Sequence, residues 1–203
     1  MCIRDRYRTP AAELRHEIDK IKGSRFIATV APVQTAEEAG AAVERVRGEF
    51  NDARHHCFAY RLGSGGERFR YSDDGEPSGS AGRPIDQQIE AHDLTDVVVV
   101  VTRYFGGTKL GVGGLRRAYG GAAAAALERV AVRTVVVTRE VAFEHPYECS
   151  GAVQGLLAAR GLAPRSAEYG ASVRLVLSVP VGEVEGFLEE LRERTAGRAS
   201  YPA

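Results

Sequence analysis

Between Val97 and Leu127 the chain carries four cations, Arg103, Lys109, Arg116 and Arg117, and not one carboxylate. Five glycines fall within the nine residues from Gly106 to Gly114, and an alanine run, Ala122 to Ala126, follows. Cations beside a Gly-rich turn that feeds a helix make a candidate anion site. Free amides point out of a helix N-terminus, the helix dipole favours negative charge there, and glycine lets a phosphate approach closely. The candidate anion or nucleic-acid contacts are Arg103, Lys109, Gly111, Gly113, Gly114, Arg116 and Arg117. Arg116 and Arg117 are read into the first helical turn, where the dipole disfavours a cation by about a few tenths of a kcal/mol, which argues for a functional reason. The competing reading gives the glycines to turns and tight helix–sheet contact and leaves the arginines solvated. If phosphates are bound, RNA affinity falls with salt by roughly one log unit of slope per phosphate, and Arg103→Ala with Lys109→Ala flattens that slope. Tyr104, Phe105 and Tyr119 border the segment; they are read as packing residues, with base stacking as the alternative.

A second stretch, Asp73 to Gly82, gathers Asp73, Asp74 and Glu76 with Ser78, and Arg83 follows. Three carboxylates in four residues suit Mg²⁺ or Ca²⁺, but the D-x-[DN]-x-[DN]-G spacing is missing. The favoured reading is a structural loop in which Asp74 or Ser78 satisfies backbone amides, and no metal site is assigned. Standard nucleotide loops fail on inspection. Lys109 lies between Thr108 and Leu110, unlike a Walker A lysine, and a G-x-G-x-x-G begun at Gly111 meets Arg116 at its third glycine. Cys57, Ser78 and Ser80 are the candidate nucleophiles, beside His55, His56 and His92. Adjacent Cys57 and His56 point to opposite faces of a strand, and no G-x-S-x-G elbow is present. No residue set specifies an enzyme and no cofactor is expected, although a phosphotransferase acting on a phosphorylated small molecule stays open as the alternative.

The elements that must position these residues follow from periodicity. Leu14 to Val33 reads as two strands joined near Gly23-Ser24. Thr35 and Glu38 form a T-x-x-E capping box for a helix reaching about Phe50. His56 to Leu62 and Arg68 to Ser72 read as a hairpin, Arg83 to about His92 as a helix opened by Pro84, and Asp96 to Tyr104 as a strand buried on both faces. The Gly loop then feeds a helix from Leu115 to about Val130. From Val135 the order is strand (to Phe143), helix (Tyr147 to Arg160), strand (Ala163 to Tyr169), strand (Ser172 to Pro180) and helix (Val184 to Thr195). That βαββα order is ferredoxin-like, with only Ala199 to Ala203 left for a last, short strand. The fold class is therefore α+β, with domains over residues 7–134 and 135–203.

With 203 residues, 44% hydrophobic and 27% charged, the chain has ordinary globular composition and a formal net charge of zero, which excludes a generally basic coat. No apolar run approaches the roughly 20 residues that span a bilayer, so no membrane partner is expected. Three scattered cysteines and a charged start without an apolar core indicate the cytoplasm. The opening residues, Met1 to Arg6, match no periodic pattern and are set outside the fold.

Two boxes carry a family resemblance. Asp73-Asp74-Gly75-Glu76-Pro77-Ser78-Gly79-Ser80-Ala81-Gly82-Arg83-Pro84 resembles the DDGEPSGTAGKP box of the YigZ/IMPACT family, with Ser80 for Thr and Arg83 for Lys. Val101 to Tyr119 is similar to its VTRYFGGxKLGxGGLxRAY box. The resemblance implies a larger N-terminal domain like domain two of ribosomal protein S-five, then a ferredoxin-like domain similar to a late domain of elongation factor G. It further implies translational control, since eukaryotic members bind a large ribosome-associated regulator. The expected partners are RNA or a ribosome-associated protein.

Overall fold

The five consecutive valines, Val97 to Val101, are all buried, which a strand achieves only when both of its faces are covered. In the computed structural model, which describes residues 5–201, these valines lie in the middle strand of the first of two units. That unit is Arg6–Val135; the other comprises residues 136–201 with Asp5. The first contains β1 (Arg6–Pro10), β2 (Leu14–Glu17), β3 (Arg25–Pro32), α1 (Ala36–Glu49), β4 (His55–Leu62), β5 (Arg68–Ser72), α2 (Gly82–Ala91), β6 (Val97–Tyr104), α3 (Gly111–Leu127) and β7 (Val132–Val136). Five strands form one sheet in the order β2-β3-β6-β4-β5, and β1 pairs separately with β7.

The side-chain period of two decides what each face of β6 meets. Val97, Val99 and Val101 join Phe26, Ala28 and Val30 beneath α2 and α3. Val98 and Val100 pack with Ala39, Val43 and Val46 of α1 on the other face. Small residues let α3 lie close: Ala118, Ala122, Ala123 and Ala126 are all buried. At α1, Thr35 Oγ1 accepts from the Glu38 amide at 3.2 Å. Glu38 reaches back one residue further than a capping box requires, accepting from the Gln34 amide at 2.7 Å rather than from Thr35.

The Gly-rich turn is anchored by a crossing of two backbones. The Gly106 amide donates to Ser24 Oγ at 3.1 Å, and a Cβ built on Gly106 would stand 1.9 Å from the Gly23 carbonyl carbon. No side chain fits there. The turn itself is shorter than its glycines suggest, because α3 already begins at Gly111. Gly111, Gly113 and Gly114 therefore belong to the helix, and Arg116 and Arg117 sit in its second turn, not its first.

Two further sequence expectations change. Arg6 lies inside the fold, where it opens β1; residues 1–4 lie outside the described residues. The strand expected from Val135 to Phe143 is two, β7 and then β8 (Thr138–His145), because the first half pairs with β1.

The second unit runs β8, a 3-10 turn (Tyr147–Cys149), α4 (Ser150–Ala159), β9 (Pro164–Tyr169), β10 (Val173–Pro180) and α5 (Val184–Arg194). Its sheet order is β8-β10-β9, the interleaving that a split βαβ produces. The place of a last strand beside β8 is marked by one antiparallel bridge, Glu144 to Ser200; residues 202–203 lie outside the described residues. Phe143, Leu156, Leu177, Phe187 and Leu191 fill its core. The fold is α+β in both units.

The crossing at Gly106 yields a paired test. Gly106→Ala must push the β2–β3 turn away, and lowers unfolding free energy by about 2–4 kcal/mol in urea titrations. Gly40→Ala, at an exposed position inside α1 with nothing near its Cβ, raises it by about 0.5–1 kcal/mol.

Candidate functional site

Arg103 shares the face of β6 that carries Val99 and Val101, so the strand turns it inward beneath α3. Its side chain is 6% exposed, and its Nη1 meets Glu76 Oε1 at 2.6 Å, the Glu76 side chain being 5% exposed. Tyr119, fully buried on α3, donates its hydroxyl to the same Glu76 oxygen at 2.8 Å. Arg103 Nη2 lies 3.4 Å from Ser24 Oγ, and the guanidinium carbon stands 5.6 Å from the Phe26 ring and 5.5 Å from Phe105. Arg103 is thus not one of the solvent-facing cations; it is an internal counter-ion for Glu76. Its Nε, shut away from solvent, has no hydrogen-bond partner.

The acidic loop is structural, and its leading agent is Asp73, not Ser78. Asp73 Oδ1 accepts from the Ala81 and Gly82 amides at 2.9 and 2.8 Å, and Oδ2 from Gly79 at 2.7 Å. A carboxylate thus occupies the N-terminal end of α2, where the helix dipole favours one. Asp74 does what the sequence suggested: Oδ2 accepts from the His56 amide at 2.6 Å, while Oδ1 pairs with Arg47 at 3.0 Å. Asp74 (φ 41°) and Gly75 (φ 84°) make the turn that releases Glu76 toward Arg103. Among the described residues, exposed Ser78 makes no side-chain hydrogen bond, and Arg83, exposed in the first turn of α2, has no ion pair. Each of the three carboxylates is committed elsewhere, and no group of three His, Cys, Asp or Glu among the described residues could hold a metal ion.

The nucleophile candidates are withdrawn from solvent or without a base. Cys57 is fully buried with its Sγ 3.0 Å from the Asp73 carbonyl, and burial pushes its thiol far above the thiolate range despite the Tyr119 hydroxyl beside it. Burial, with Cys57 and Glu76 alongside, likewise holds the Tyr119 phenol protonated. Ser80 is fully buried and its Oγ has no partner among the described residues. His56 faces away from Cys57, its Nδ1 3.1 Å from Thr102 Oγ1.

What remains open is the N-terminal end of α3. Gly111 has φ 70° and nothing within 4 Å of its would-be Cβ, and no side chain caps the helix. Beside it lies a pocket of about 340 Å³ walled by Arg103, Phe105, Lys109, Leu110, Val112 and Leu115, with Glu76 and Pro77 completing it. Lys109, Arg116 and Arg117 are exposed, and none has an ion-pair partner among the described residues. Of the aromatic residues, Tyr119 is core and Tyr104 donates to Asp52 at 2.7 Å, but Phe105 is 54% exposed.

Residues 22–127, which include every one of these side chains, match the model of the Impact N-terminal domain, and residues 146–198 match a domain of unknown function, DUF1949. The chain belongs to the IMPACT family. An IMPACT family member in the pol 5′ region of Thermus thermophilus is 46% identical over 179 residues, covering 88% of this chain and 97% of that protein. The IMPACT family member YigZ of Escherichia coli is 35% identical over 182 residues, covering 89% of each. A solved structure described as the crystal structure of a hypothetical protein superposes with a TM-score of 0.73 at 33% identity, covering 99% of this chain and 98% of that one. The IMPACT boxes read from sequence thus meet in space: the acidic loop supplies Glu76 and the Gly-rich segment supplies Arg103 and Tyr119.

Period-two alternation along β6 already pointed Arg103 inward with Val99 and Val101. The sequence reading missed it because Glu76, its partner, lies 27 residues away.

Two outcomes test this arrangement. Glu76→Leu leaves a buried guanidinium without its counter-ion and lowers unfolding free energy by about 3–5 kcal/mol; adding Arg103→Met recovers much of that loss. Burial holds the His56 imidazole below its ordinary value of 6.5, against the pull of Asp74. The fold prefers the neutral ring, so that contribution is whole above pH 6.5 and is lost as pH falls through the folded value. Urea titrations across this range show a shallower acid loss for His56→Asn than for the parent protein.

Proposed function

We propose that the Arg6–Val135 unit is a non-enzymatic binding module that engages RNA through the N-terminal end of α3, and so acts on translation. The observation that carries this reading is the set Lys109, Arg116 and Arg117: exposed, without an ion-pair partner among the described residues, and lying just before and in the second turn of one uncapped helix, in a stretch with no carboxylate. Two of them stand in the second turn of α3, where neither the dipole nor a partner accounts for them. The withdrawal of Cys57 and Ser80 from solvent supports binding over covalent catalysis. The zero net charge of the whole chain directs the reading to this surface and away from a diffuse electrostatic coat.

Three phosphates neutralised on a single strand give a slope of about −2 in log affinity against log salt. In fluorescence titrations of a single-stranded RNA oligomer, Lys109→Ala with Arg116→Ala and Arg117→Ala flattens that slope toward zero while leaving the melting temperature in place. Unchanged slope and affinity in the triple variant overturn the reading. Recovery of a protein from lysate that survives nuclease treatment and is lost in the triple variant shows instead a protein partner on the same surface.

A further inference from the structure

The pocket beside α3 differs in character from the cationic surface around it. Its volume, about 340 Å³, lies at the small end of the range of roughly 300–1,000 Å³ for ligand pockets. Its walls are largely apolar: Phe105 and Val112 are exposed at 54% and 51%, and Leu110, Leu115 and Pro77 continue them. Yet three features aim for an anion. Lys109 is at the wall without a partner. The first amides of α3 are uncapped by any side chain. Arg103, 95% buried and itself a wall of the pocket, keeps an Nε donor with no acceptor. Buried donors without acceptors are rare, and this one belongs to a side chain that walls the pocket. The contrast with α2 is internal to the fold, since Asp73 fills the corresponding place there with a carboxylate of the protein's own.

We propose that this pocket holds one nucleotide by its phosphate monoester, with the phosphate at the start of α3 beside Lys109 and the base on the Phe105 ring. This rests on the same surface as the RNA reading but adds a separate claim, that a terminal nucleotide is told apart from internal ones. A monoester is close to doubly charged at neutral pH, whereas the diester inside a strand carries one charge, so a helix start and a lysine favour the former. Aromatic stacking supplies affinity for the base without choosing its identity. The same chemistry is presented by a free nucleoside monophosphate and by the phosphorylated end of an RNA strand.

Calorimetric titration of the intact protein with AMP, adenosine, inorganic phosphate, and one RNA oligomer with and without a 5′-phosphate tests this. AMP is expected to bind at least about tenfold tighter than adenosine or phosphate. Phe105→Ala weakens AMP about tenfold. Val112→Glu, which places a carboxylate in the first turn where the dipole stabilises it, abolishes AMP binding without lowering the melting temperature. Preference for the 5′-phosphorylated oligomer over its hydroxyl form assigns the site to strand ends; AMP binding without that preference assigns it to the free nucleotide. Equal affinities for AMP, adenosine and phosphate, or unchanged AMP affinity in both variants, overturn the proposal. Salt-sensitive RNA binding with no response to AMP or a terminal phosphate sinks the pocket and leaves the surface standing. AMP binding without RNA binding does the reverse.

Discussion

Glu76 and Arg103 meet out of contact with water, and the parts of the first unit that surround the pocket are arranged so that they can. An isolated buried charge costs several kcal/mol, and a buried pair is better tolerated the more of its remaining bonding positions are met. Arg103 arrives because β6 alternates. Glu76 arrives because Asp74 and Gly75 adopt left-handed conformations that turn the loop inward. Tyr119 brings the second hydrogen bond to Glu76 from α3. One ion pair thereby fixes a loop, a strand and a helix to one another, and the start of α3 is held where the pocket needs it.

The two helix starts divide the electrostatic work. At α2 the protein places its own carboxylate, Asp73, on three amides, so that end already has its counter-charge. At α3 no acid stands in the first turn, and Arg103, which would have added charge, is spent on Glu76. Lys109 stands beside that start, and Arg116 and Arg117 follow one turn further along the helix. Removing Arg103 therefore probes folding, whereas removing Lys109 probes the surface.

Much of this was legible from residue order. The buried valine strand, the α1 cap and the βαββα order with its missing strand all follow from period and punctuation, which are local signals. Asp74 was read correctly as a loop stabiliser because Asp-Gly turn chemistry is local too. What was not legible depends on contacts between distant residues. Gly111, Gly113 and Gly114 were read as loop because glycine is a poor helix former; tertiary placement of α3 on the sheet overrides that preference. Arg103 was grouped with Lys109 by sequence proximity, although the strand separates them into core and surface. Asp73 gave no sign of its three amide bonds, since these exist only once α2 has turned back over β5. The split of β7 from β8 needed β1, of which Arg6 had been set aside and Tyr7 to Pro10 had been given no element.

The three-stranded sheet of the second unit leaves both of its borders nearly bare. Beyond β8 only the Glu144–Ser200 bridge is made among the described residues, and β9 is exposed along its whole length. Unpaired strand borders invite pairing with another chain, and proteins discourage this with charge and proline. Arg139 and Glu140 lie along one border; Pro164, Arg165 and Glu168 lie along the other. These residues need no ligand to explain them. Charge and proline along such borders are the pattern by which small sheets discourage pairing with a neighbour, and here Arg165 also pairs with Glu140 at 2.9 Å.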